Sequence, residues 1–331
     1  MSTTELPLAS TSRTYASGAD FVRQHGSLIA LALILLFNVM VTPNFVSLQT
    51  FFVNISQVAT ISIVAVGMTL VIATGGIDLS VGAVMALAGA LAPLIFTSEF
   101  AQAYPVLGLT AAIAVPLVVA LGCGVFNGSL VSLLNVQPII ATLILFISGR
   151  GIAQVLTNGN LQTFSNKAFS YLGTGKILGL PFQGWLVLAL AIVIWWLVHR
   201  TLFGRYLLAV GGNETAARLT GAPVKRIKIG AYVICAGLAG LAGLIVVAIN
   251  SASDAARIGN LMELDAIAAA VVGGALLQGG RAPVFGVILG AVIIQLVRYT
   301  LLANGVADEV ALVAKAGIII LAVYIQQGRK D

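Results

Sequence analysis

Few residues of this chain can carry chemistry, and the most isolated of them is Asp78. It stands in the stretch Gly67-Met-Thr-Leu-Val-Ile-Ala-Thr-Gly-Gly-Ile-Asp78-Leu-Ser-Val-Gly-Ala-Val-Met-Ala-Leu-Ala-Gly89, where two apolar runs meet at Gly75-Gly76. Nothing in those runs calls for an acid. A structural task accounts for it: Asp78 or Ser80 can cap the helix that starts beside them, accepting from free N–H groups and facing the positive end of the helix dipole. Catalytic readings are thin. Cys123 and Cys235 both lie inside apolar runs and read as small core residues, neither a disulfide nor metal ligands. His25 and His199 flank helix ends, without the paired spacing of a metal site. No nucleophile is paired with a base, and no Gly-x4-Gly-Lys-Ser/Thr loop offers a nucleotide site. The chain itself is therefore expected to hold no catalytic residue, metal or cofactor.

The elements that must position these residues follow from composition. Of 331 residues, 59% are hydrophobic and only 8% charged, against roughly 25% charged in a soluble domain. Mean hydropathy is +1.06. Such a chain needs lipid as its solvent, and the expected fold is all-α, a polytopic membrane bundle. The 36 glycines fit, because helices in lipid associate through small residues. The net charge of +6 is spread too thinly for a nucleic-acid footprint.

Residues 1–26 read as a disordered cytoplasmic tail, and a single transmembrane domain follows over 27–327. Pro43-Asn44 ends the first apolar run at 27–42, which carries no cleavage site and is read as a retained span. Further runs at 51–74, 79–97, 105–134, 138–157, 181–199, 227–250, 263–279, 283–302 and 309–327 bring the expectation to about ten spans. Residues 328–331 form a cytoplasmic end. With both termini inside, only Lys167, Lys176 and Arg257 fall outside, and only Arg150, Arg298 and Lys315 fall within spans; the other bases are cytoplasmic, as the positive-inside rule requires. An odd count would divide the basic 200–226 loop from the basic C-terminus.

Two loops are long. Residues 158–180 form the largest outer segment, and 200–226 the largest inner one. In the latter, Asn213 is a good N-cap, Glu214 sits well in the first turn, and Gly221-Ala-Pro223 stops the helix. A helix so short is unstable in water by itself, so it must dock, either on its own bundle or on a partner. Among polar residues near the spans, Gln57, Arg150, Gln154, Glu263 and Asp265 are candidates to line a path. This topology puts Arg150, Glu263, Asp265 and Lys315 in the outer third, paired structurally or forming a polar collar, with Arg150 and Gln154 sharing a helix face.

The 67–89 stretch closely resembles the signature of permease subunits of monosaccharide ABC importers, the ribose-type bacterial family. Three more segments match in family order: Gln137-Pro-Ile-Ile-Ala-Thr-Leu-Ile-Leu145, Glu214-Thr-Ala-Ala-Arg-Leu-Thr-Gly221, and Met262-Glu-Leu-Asp-Ala-Ile267 with the glycines up to Gly280. The first and third of these look similar to galactofuranose-type permeases. The resemblance implies that Asn213, Glu214, Ala216, Ala217, Arg218 and Gly221 form a coupling helix, seated in a cytoplasmic ATPase that binds ATP and Mg2+. It further implies a second permease chain, identical or paralogous, a periplasmic sugar-binding protein, a sugar substrate and the bacterial inner membrane. Two other readings stand beside it. One is a permease for another small solute such as branched-chain amino acids. The other is an ATP-independent secondary transporter or channel, which would need carboxylates near the membrane midplane, where this reading places none.

Overall fold

A computed structural model describes residues 18–327. In chain order the helices are α1 (Gly18–Val41), α2 (Leu48–Ala73), α3 (Val81–Phe96), α4 (Glu99–Ala103), α5 (Pro105–Ser132), α6 (Pro138–Leu156), α7 (Lys167–Thr174), α8 (Phe182–Arg200), α9 (Leu202–Gly212), α10 (Glu214–Leu219), α11 (Val224–Asn250), α12 (Met262–Val272), α13 (Val284–Ala303) and α14 (Asp308–Gln327). Four two-residue strands, β1 (Gln162–Thr163), β2 (Lys176–Ile177), β3 (Leu180–Pro181) and β4 (Ala252–Ser253), pair antiparallel as β1–β4 and β2–β3. The ends follow local rules. Pro105 and Pro138 open α5 and α6 at a position where a missing N–H costs nothing. Ser47 caps α2 by accepting from the Thr50 N–H.

The fold is an all-α polytopic bundle. Among the described residues six helices, α2, α5, α6, α8, α11 and α13, are long and apolar enough to cross a membrane. Buried α11 is the axis, with α2, α3 and α5 packed around it. Contact there is backbone against backbone: a Cβ on Gly243 would lie 2.5 Å from the Met85 carbonyl oxygen, and one on Gly124 2.5 Å from the Val233 Cα.

Several expectations change. The tail read over 1–26 is helical from Gly18, because nothing after that glycine breaks the helix; its first residues, and 328–331, lie outside the described residues. The run 263–279 is helical only to Val272 and then turns at Gly273-Gly274, so it is far too short to span. Likewise α3 has only 16 residues. The 158–180 segment carries β1, α7 and the β2–β3 hairpin, β1 pairs with β4 from beyond α11, and Phe169 is wholly buried against Phe96 and Phe164.

The first and last described residues, 18 and 327, share one end of the bundle. Asn38 of α1 donates to Thr300 of α13, and Thr42, just after α1, accepts from Asn304, just after α13. Hence α1 finishes, and α14 starts, at the end carrying 158–180, and both run to the end carrying α9 and α10.

Candidate functional site

Asp78 lies deep in the bundle, not at its edge. Gly76 abuts the Tyr232 hydroxyl, and Met85 abuts Gly243, so residues 76–81 run beside the middle third of α11. Measured along α11, Asp78 is roughly 15 Å from the Val224 end and roughly 25 Å from the Asn250 end. Its side chain is fully buried. Oδ1 accepts from the Ser80 backbone N–H at 2.9 Å and the Ser80 hydroxyl at 2.6 Å, and Asn127 Nδ2 donates to that hydroxyl at 2.8 Å. The expected cap is thus redistributed. Ser80 occupies the N-cap but makes no capping bond, and Asp78 holds the turn that leads into α3. Gly75, at φ +79°, makes the turn out of α2, and a Cβ on Gly76 would meet the Tyr232 hydroxyl at 2.7 Å.

A second short helix starts at nearly the same level. A Cβ on Gly82, in the first turn of α3, would meet the Gly259 carbonyl oxygen at 2.1 Å and Glu263 Oε2 at 2.7 Å. So α12 begins beside the start of α3, about 15 Å in from the Asn250 end of α11. The outer-third placement of Glu263 and Asp265 is corrected: the 251–261 connection dips inward and carries them down. From this shared level α3 runs toward the 158–180 end and α12 toward α9. Their positive N-termini face each other, and Asp78, Glu263 and Asp265 supply the negative charge beside them. Asp265 forms a buried ion pair with Lys315 of α14.

Arg150 also lies deeper than expected, since its neighbour Gly149 packs on Ala83. Its Nη1 donates to the carbonyls of Ala255, Ala256 and Ile258 at 3.0–3.2 Å, pinning the dipping loop. Gln154 is exposed one turn away and shares none of these bonds, so the two do not form a joint collar. Gln57 accepts from Gln295 Nε2 across α2 and α13, near the 158–180 end.

At the opposite end the short helix is capped as expected: Asn213 Oδ1 accepts from the Ala216 N–H at 2.9 Å, and Gly221 stops α10 at φ +82°. Ala217 is its buried anchor, Leu219 is 84% exposed, and Ala216 and Arg218 also face outward. Glu214 takes Arg218 Nη2 at 2.9 Å and Lys228 Nζ at 2.6 Å, which ties α10 to the first turn of α11. The Lys228 hydrogen bond, ahead of the two positive charges, holds the Glu214 carboxyl below its ordinary range. The sequence reading missed α9, whose apolar LFGRYLLAV seats Leu207 and Val210 in the core. At its end Gly211 leaves no room at all: a Cβ would lie 1.7 Å from the Ala73 carbonyl oxygen and 2.5 Å from the Gly280 nitrogen. Gly280 N in turn donates to Ala73 O at 3.0 Å. Three backbones, from α9, α2 and the α12–α13 connection, are locked at one point.

A family model described as branched-chain amino acid transport system / permease component matches residues 51–323. The chain belongs to this permease family. The ribose import permease protein RbsC of Escherichia coli (strain K12) is 39% identical over 325 residues, 96% of this chain and 98% of its own. The galactofuranose transporter permease protein YtfT of the same strain is 39% identical over 310 residues, 91% and 89% of the two chains. The fructose import permease protein FruF of Bifidobacterium longum (strain NCC 2705) is 38% identical over 271 residues, 81% and 74%. No solved structure matches. The expectation of a ribose-type permease therefore holds, and this permease is a multi-pass transport subunit of the inner membrane. The matched region takes in both short helices, the Gly211 lock and α10.

Proposed function

We propose that this permease is the membrane-spanning subunit of an ATP-driven monosaccharide importer that works by alternating access. The observation that carries the reading is the continuous route from α10 to the Gly211 lock and on to the breaks at 74–80 and 273–283. A helix of six residues with an exposed Leu219 suits a peg for a cytoplasmic ATPase. A push on α10 passes through α9 into the ends of α2 and α12, the elements that border the mid-bundle breaks. ATP and Mg2+ belong to the ATPase chains, sugar arrives on a periplasmic binding protein, and a second permease chain, identical or paralogous, completes the pathway. The relatives named for ribose, galactofuranose and fructose support a monosaccharide as cargo.

Reconstitution tests this. Proteoliposomes holding the permease, its ATPase chains and binding protein should take up a sugar from a panel of ribose, galactose and fructose only with ATP inside. Buried Asp78 favours one other reading, ion-coupled transport through a mid-bundle carboxylate. Uptake by the permease alone, driven by an imposed proton or sodium gradient, would select that reading and end the ATP-driven one.

A further inference from the structure

A cavity of about 250 Å3 opens at the 158–180 end, opposite α10, between α2, α7, the β2–β3 hairpin and the start of α8. Its polar lining is unusual for so apolar a chain: Ser56 and Gln57 from α2, Lys176 from β2 and Gln183 from α8. The first three bring unused hydrogen-bonding capacity, and Gln183 closes the wall behind them. Gln183 is fully buried and spends its Nε2 on the Gly173 carbonyl, while its Oε1 has no partner. Gln57 spends its Oε1 on Gln295, which leaves the Gln57 amide N–H groups unengaged. The Ser56 hydroxyl makes no bond to another described side chain and can donate or accept. Lys176 Nζ is held 4.5 Å from the centroid of the Phe52 ring, which positions an ammonium donor on the cavity wall.

Here two donors and a hydroxyl stand around one small space. Neighbouring alcohol groups, each both donor and acceptor, match that set, whereas an apolar ligand would strand it. Among the described residues no carboxylate lines the cavity to hold a cationic ligand. The volume lies below the roughly 300–1,000 Å3 of pockets for drug-sized ligands, which suits one sugar ring and not two. We infer that this cavity is a receiving subsite for a single neutral monosaccharide on the side opposite the coupling helix. The inference rests on the sugar-import reading and adds a residue-level site to it. Because Gln57 also binds Gln295 of α13, occupancy would be felt by the helix that packs on α12.

Trp185 provides a direct readout, since its Nε1 donates to the Ile177 carbonyl of the hairpin bordering the cavity, at 3.0 Å. The full permease in lipid nanodiscs, with Trp195 and Trp196 changed to Phe, is titrated with ribose, galactose and fructose, and with the disaccharide maltose as a size control. At least one monosaccharide should change Trp185 emission saturably, and maltose should not. Gln57→Met and Ser56→Ala should each weaken binding about tenfold, the size of one net hydrogen bond. No saturable response to any monosaccharide, unchanged affinity in Gln57→Met and Ser56→Ala, or an equal response to maltose would overturn the subsite. ATP-dependent uptake of a sugar that leaves Trp185 silent would remove the subsite and keep the importer. A saturable response without ATP-dependent uptake would keep the subsite and remove the importer.

Discussion

At the scale of single residues, burial decides what a charged group can do. Asp78 Oδ1 takes two hydrogen bonds from Ser80 in a fully buried setting, so an acceptor at that place matters more than a charge. Asp78→Asn should cost about 1 kcal/mol or less, and Asp78→Leu about 1–3 kcal/mol, because it strands the Ser80 N–H. Thermal unfolding in detergent checks the ranking; an Asn variant as unstable as Leu would show that the carboxylate charge is needed. Glu214 offers a pH test. Its folded pKa lies below the ordinary 4.5, chiefly through the Lys228 hydrogen bond, so its stabilising contribution is complete above about 4.5 and is lost as pH falls through the lowered value. The contribution is modest, because the carboxylate is 39% exposed. A spin label on Thr215 should therefore stay immobile at pH 6 and loosen below about pH 4.5, and Glu214→Gln should loosen it at both. Mobility that rises toward high pH would contradict the assignment.

Elements carry the next lesson, because helices were legible where local signals mark them and illegible where depth decides. The caps of α10 stand in the sequence as Asn213 and Gly221, and Ser47 and Pro105 mark other ends. By contrast, α3 and α12 look like parts of full spans, since an apolar run has the same composition whether it crosses a membrane or starts halfway. Their true depth comes from Gly82 meeting Gly259, a contact between distant parts of the chain that no local pattern announces. Arg150 was misread for the same reason: its partners are backbone carbonyls, which carry no residue signature. The α9 helix hid inside what looked like a loop, yet its Gly211 makes the tightest approach in this region. Gly211→Val should displace α9 from α2, at an overpacking cost of about 1–3 kcal/mol, and lower uptake while the ATPase still binds. Gly212→Val serves as the control, because a Cβ there meets nothing within 4 Å. Equal uptake by the two variants would mean that the lock transmits nothing.

For the whole molecule, the question that composition could not close is which way the bundle faces. Two independent lines bear on it. Basic residues gather in the 200–226 loop, which favours a cytoplasmic position for α10. The α1–α13 contacts then put residue 18, and the run of α14 puts residue 327, at that same end, whatever the number of full crossings between them. The half-depth helices α3 and α12 leave this parity intact, because each is joined to a non-helical segment that completes its crossing. Single cysteines read the outcome, with Cys123 and Cys235 first replaced by Ala. Leu219 of α10 is 84% exposed and Leu178 of the β2–β3 turn 87% exposed, and α8 runs between them, so both sites report without disturbing the core. A membrane-impermeant maleimide added to intact cells should label Leu178→Cys and spare Leu219→Cys, and inverted vesicles should reverse the pattern. A cysteine introduced at Gln327 should behave like the one at 219. If Gln327→Cys is instead labelled from outside, α14 does not return to the α10 end, and the parity argument built on α1, α13 and α14 fails.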